Sequence, residues 1–87
     1  MCTEDSKTRV AVIAVIVENN AATDSINELL HEAGQYIIGR MGIPYREKNI
    51  NIISIAIDAP QDIISSLSGR LGRIEGVSVK TAYSNIF

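Results

Sequence analysis

The chain has 87 residues, enough for one domain but not for a catalytic unit joined to a separate ligand or nucleic-acid module. Apolar residues make up 46% and charged residues 21%, which excludes wholesale disorder and collagen-like repeats. Eight basic against ten acidic side chains leave a net charge of −2, too little positive field for general binding to a phosphate backbone.

Met1 to Thr8 is polar and lacks the apolar run of an export signal, and its lone cysteine, Cys2, has no internal disulfide partner. Residues 1–8 therefore read as a flexible polar leader, residues 9–87 as a single domain, and the chain as cytoplasmic. No stretch reaches the roughly 18 apolar residues of a membrane span. Arg9 to Glu18, RVAVIAVIVE, is apolar on both alternating faces, the mark of a central strand. Asn19 and Asn20 supply cap and turn chemistry. Ala22, Ile26, Leu29, Leu30 and Ala33 then recur at helical spacing, with Asp24, Asn27, Glu28, His31 and Glu32 opposite. Gly34 is expected to stop this helix in a left-handed conformation.

Tyr36 to Tyr45 is extended but carries Gly39, Gly42 and Pro44, so it is predicted to be an edge strand. Arg46 to Asn49 forms a polar connection into NINIISIAID, again apolar on both faces. Asp58 and Gln61, with Pro60 in the first turn, resemble a capping box for a second helix whose stripe is Ile63, Ile64, Leu67, Leu71 and Ile74. Gly76 ends that helix, and Val77, Val79 and Ala82 mark a short last strand. The order βαββαβ with two right-handed crossovers predicts a ferredoxin-like α+β sandwich, antiparallel sheet order 4-1-3-2, both helices on one face. Two helices cover only one face of such a sheet. Strands one and three are apolar on the other face too, so a second copy is expected to cover it, in a homodimer or a dimer of dimers joined through sheet face and edges.

Reactive centres are sparse. One cysteine and one histidine cannot assemble a soft-metal site, and neither a metal site nor a cofactor is expected. The two predicted central strands hold no aromatic residue on which RNA bases could stack. The loop after the first strand has neither the glycines nor the arginine that acylphosphatase-like hydrolysis requires. No nucleophile–base pair emerges, so no catalytic residue is assigned. Arg40, Tyr45, Arg46 and Glu47 form the densest polar and aromatic cluster and are the candidate effector-binding residues, although charges on an edge strand also guard against sheet extension. Arg70 and Arg73 flank a small-residue stripe of Ser65, Gly69 and Gly72 and are candidates for an anionic effector. The bland alternative for both arginines is solvated surface charge.

NELLH at 27–31, RMGIPYREKNI at 40–50 and LSGRLGRIEGVSVKT at 67–81 carry a resemblance to the iron-only hydrogenase system regulators, which extends over about residues 9 to 82. That family is similar in fold to ACT-like regulatory domains and to the effector domain of the nickel-responsive repressor. The resemblance implies an ACT-like domain over 9–87, assembly through sheets, and sensing of a small molecule or a hydrogenase-system protein. Two departures matter. Asn19 and Asn20 stand where amino-acid-binding ACT domains usually have glycine, and His31 and Cys2 alone do not match a nickel site. No helix-turn-helix or ribbon-helix reader is present, so direct nucleic-acid contact is not expected. The sequence thus reads as a non-catalytic oligomeric regulator. The rival readings are a small enzyme with an intersubunit site using Arg40, Arg46 and Glu47, and a purely structural assembly module.

Overall fold

Residues 7–85 are described by the computed structural model, so the expectations for Cys2 and for most of the leader lie outside the described residues. The first strand, β1 (Arg9–Val17), shows what its two-sided apolar sequence does. Ala11, Ile13, Val15 and Val17 are buried, while Val10, Val12, Ala14 and Ile16 point the other way and remain exposed. A 3-10 turn at Asn20–Ala22 follows, and the Asn19 side chain accepts a hydrogen bond from the Ala21 N–H at 3.0 Å. Helix α1 (Thr23–Glu32) then buries Ile26 and Leu30.

Strand β2 (Ile37–Tyr45) begins one residue later than its pattern predicts because Gly34–Tyr36 winds into a 3-10 turn. Gly34 does not take the expected left-handed conformation. The turn continues the right-handed winding past Ala33, and the Tyr36 N–H donates to the Ala33 carbonyl at 2.9 Å. A further 3-10 turn, Arg46–Lys48, ends at Asn49 with φ 56°, a left-handed geometry that asparagine tolerates better than most residues. It leads into β3 (Ile50–Ala59), then α2 (Gln61–Gly72) and β4 (Val77–Tyr83).

The capping box expected from Asp58 and Gln61 does not form. Asp58 and Ala59 stay in the ladder opposite Val10 and Arg9, so the helix starts later, with Pro60 as its cap and no side-chain cap bond. The Pro60 carbonyl instead receives the N–H groups of Ile63 and Ile64 at 3.0 and 3.2 Å. The glycine that does require positive φ is Gly76, at 81°.

All pairings are antiparallel, in the order β2-β3-β1-β4, which is the predicted 4-1-3-2 read from the opposite edge. The two continuous apolar runs are central, and the Pro44-bearing strand lies at an edge. Helices α1 and α2 seal the face bearing Ile13, Val15, Ile55 and Ile57 with Ile26, Leu30, Ile64, Leu67 and Leu71. Each such large aliphatic side chain contributes roughly 1.5–3 kcal/mol relative to exposure. A hydrogen bond between the Ser68 and Thr81 hydroxyls, 2.6 Å long, ties α2 to β4. Arg9 binds three segments together, donating to Gln61 Oε1 at 2.8 Å and the Ser84 carbonyl at 3.1 Å, with its guanidinium 4.7 Å from the Tyr83 ring centre.

Candidate functional site

Register divides the six candidate residues among three places. Arg40 pairs with Ile55 and Gly42 with Ile53, so both lie on the helix-facing side of β2. Met41, Ile43 and Tyr45 pair with Ser54, Ile52 and Ile50 on the open side. Because successive strand residues point to opposite faces, the tight sequence cluster Arg40–Glu47 is not a cluster in space.

Arg40 reaches α1, where one guanidinium nitrogen donates to Asn27 Oδ1 at 3.1 Å. It stands over a cleft of about 200 Å³ between α1 and β2. Val17, Ile26 and Ile53 give the cleft apolar walls, and Thr23, Asn27, Arg40 and Asn51 its polar groups. The recess exists because Gly42 contributes no side chain. A Cβ built there would meet nothing within 4 Å. Thr23, Asn27, Gly42 and Asn51 were not among the sequence candidates. The one legible hint was a glycine two residues from an arginine, on the same side of an edge strand.

Tyr45 and Glu47 pair at the β2–β3 connection, the phenol donating to Glu47 Oε1 at 2.6 Å. That bond, with a smaller contribution from desolvation, raises the Tyr45 pKa above its ordinary value. Arg46 lines a second recess of about 180 Å³ with Asn20, Pro44, Asn49 and Asn51. Asn51 Nδ2 approaches Asn20 Oδ1 at 3.5 Å and lines both recesses, so it joins them.

Arg70 lies apart, in the helix layer, in an exposed ion pair with Glu32 at 3.3 Å. Arg73 follows α2 as its C-cap, and the neighbouring Gly69 and Gly72 face open space. Nothing brings either arginine to the Arg40 cleft. His31 is exposed, and no group of three or more metal-ligating side chains occurs among the described residues.

The sheet face without helices gathers most of the exposed large hydrophobic side chains among the described residues. Val10, Val12 and Ile16 of β1, Met41, Ile43 and Tyr45 of β2, and Ile52 of β3 are between 39% and 58% exposed. Charged residues on its strands stay at its margins, Asp58 near the end of β3 and Lys80 on edge strand β4. No helix among the described residues is long and apolar enough to cross a membrane.

Comparison with known proteins agrees with this architecture. The TM1266-like family, whose description reads "Iron-only hydrogenase system regulator, putative", matches residues 9–81. The structure of TM1266 from Thermotoga maritima superposes with a TM-score of 0.85 at 38% identity, covering 88% of this chain and 98% of that one. The ACT domain of a GTP pyrophosphokinase from Chlorobium tepidum gives 0.73 at 19% identity, over 87% of this chain and 100% of that domain. A formyltetrahydrofolate deformylase from Pseudomonas putida KT2440 gives 0.64 at 15% identity, over 87% of this chain and 29% of that one. These last two likenesses concern the fold alone. No curated protein matches the chain. Residues 9–81, the βαββαβ order and the 38% identity to the Thermotoga maritima protein lead to one assignment: the chain belongs to the TM1266-like family of iron-only hydrogenase system regulators, built on an ACT-like fold.

Proposed function

We propose that the chain is a non-enzymatic regulatory module that works as an oligomer, coupling assembly through its open sheet face and edges to a small effector or a hydrogenase-system protein. The observation that carries this reading is the helix-free face, where seven large hydrophobic side chains of three strands lie together. A four-stranded sheet about 19 Å wide and 26 Å long presents roughly 500 Å² in projection. Corrugation by side chains brings its accessible area toward the ~800 Å² per partner of a stable interface. A second copy offers the same apolar centre and the same charged margins. Of the six sequence candidates, Arg40 has the strongest support as an effector contact, because it stands over a recess with apolar walls and no acidic side chain in its lining. Arg46 follows, with Tyr45 and Glu47 beside it, while Arg70 lines a smaller recess in which Glu32 already pairs with it, and Arg73 has only its C-cap position.

Light scattering on the full chain tests the reading, with a dimer or tetramer expected. Ile52→Asp places an unpaired carboxylate in the centre of the face, at a cost of about 3–5 kcal/mol per buried charge, and should dissociate the assembly while leaving circular dichroism unchanged. A parent chain that stays monomeric at high concentration would remove the basis of the proposal.

A further inference from the structure

The α1–β2 cleft has a chemistry more selective than "effector". Its walls come from Val17, Ile26 and Ile53, and its polar groups are a hydroxyl, two amides and one guanidinium. No aspartate or glutamate lines it. Arg40 is held by Asn27, which takes one of the five N–H donors a guanidinium carries. The planar fork suits bidentate capture of a carboxylate. An apolar cavity of about 150 Å³ admits benzene, so 200 Å³ suits a ligand of roughly six to ten heavy atoms.

From this set we infer that the cleft binds a small monocarboxylate with a branched apolar tail and no ammonium group, a short 2-oxo acid being the type. The assignment rests on the regulatory reading above and specifies its effector. The carboxylate meets Arg40, the tail fills the space left by Gly42 against Ile26 and Ile53, and a 2-oxo or hydroxyl oxygen accepts from Thr23 or Asn51. An amino acid would bring its ammonium close to the Arg40 guanidinium in a site with no acidic side chain to balance it, so discrimination falls on that one group.

Calorimetric titration of the full chain with 3-methyl-2-oxobutanoate, valine and the neutral ketone 3-methylbutan-2-one tests this directly. The oxo acid should bind, with valine and the ketone at least tenfold weaker. Arg40→Gln should weaken the oxo acid at least tenfold, and Arg40→Lys, which keeps the charge but loses the fork, should fall between. Gly42→Val should abolish binding by filling the recess, with Gly42→Ala as the milder variant if the valine disturbs folding. Equal or tighter binding of valine, an unchanged Arg40→Gln, or no heat from the oxo acid at millimolar concentration would each overturn the assignment. Light scattering on the same samples separates the two ideas. A parent oligomer that ignores the oxo acid sinks only the ligand, whereas a monomer that binds it sinks only the assembly.

Discussion

Gly76→Ala is the substitution whose cost the geometry fixes most closely. Gly76 has φ 81°, and an alanine there pays about 1–2 kcal/mol for the left-handed backbone alone. The new methyl would also stand 2.5 Å from the Asn19 Cβ and 3.3 Å from the Asn19 nitrogen, whereas carbon pairs settle at about 3.5–4.0 Å. Asn19 must therefore retreat by about 1 Å. It is poorly placed to do so, because its side chain caps the turn through Ala21 and its carbonyl accepts from the Ala22 N–H at 2.9 Å. The adjacent Glu18 N–H donates to the Gly76 carbonyl at 2.7 Å, which locks the two loops together. Losing the cap adds about 1 kcal/mol. The sum is about 2–3 kcal/mol, or a melting temperature lower by roughly 8–24 °C for a domain of this size. Thermal denaturation followed by circular dichroism, at one fixed protein concentration because assembly shifts apparent stability, measures it. Gly69→Ala is the internal control. That glycine lies in α2 with open space around its would-be Cβ, so alanine should stabilise by about 1 kcal/mol. The reasoning fails if Gly76→Ala melts within a few degrees of the parent, or if the two alanines act in the same direction.

Three further outcomes are expected. Ser68→Ala should cost about 1 kcal/mol in denaturant unfolding by breaking the α2–β4 hydroxyl bond, and Thr81→Val combined with it should cost less than the two changes summed. Arg9→Ala, which cuts β1 from Gln61, the Ser84 carbonyl and the Tyr83 ring, should destabilise by about 1–2 kcal/mol; a change below 0.5 kcal/mol would show the cluster to be incidental. The Tyr45 phenol donates to Glu47, so its folded pKa lies above the ordinary 10.0. Its contribution to stability is therefore complete below the unfolded value and is lost as pH rises through the raised folded one. Ultraviolet titration of the tyrosines should show one group moving back toward the ordinary value in Glu47→Gln, and no such movement would contradict the pairing.

The apolar runs at 9–18 and 49–58 declare central strands because a strand flanked on both sides has no polar face to present, and Pro44 declares an edge because it has no N–H for an interior ladder. Together with the two helical stripes and the short run at 77–82, those features give the βαββαβ order, the pairing order of the sheet, and the presence of an apolar face that two helices leave uncovered. They are local or additive properties of the chain. Turn geometry is less local. Asp58 and Gln61 satisfy the spacing of a cap, yet the ladder with β1 holds Asp58 extended, and Gly34 yields the left-handed position to Gly76, where Asn19 crowds the backbone. The site is less local still. Arg40, Tyr45, Arg46 and Glu47 are neighbours along the chain, but β2 sends Arg40 and Tyr45 to opposite faces, and Arg40 finds Asn27 and Asn51 on other elements. Composition and periodicity thus determine the layers. Which side chains share a recess depends on strand register and on the helix packed across it, and those distances exist only once the chain has folded.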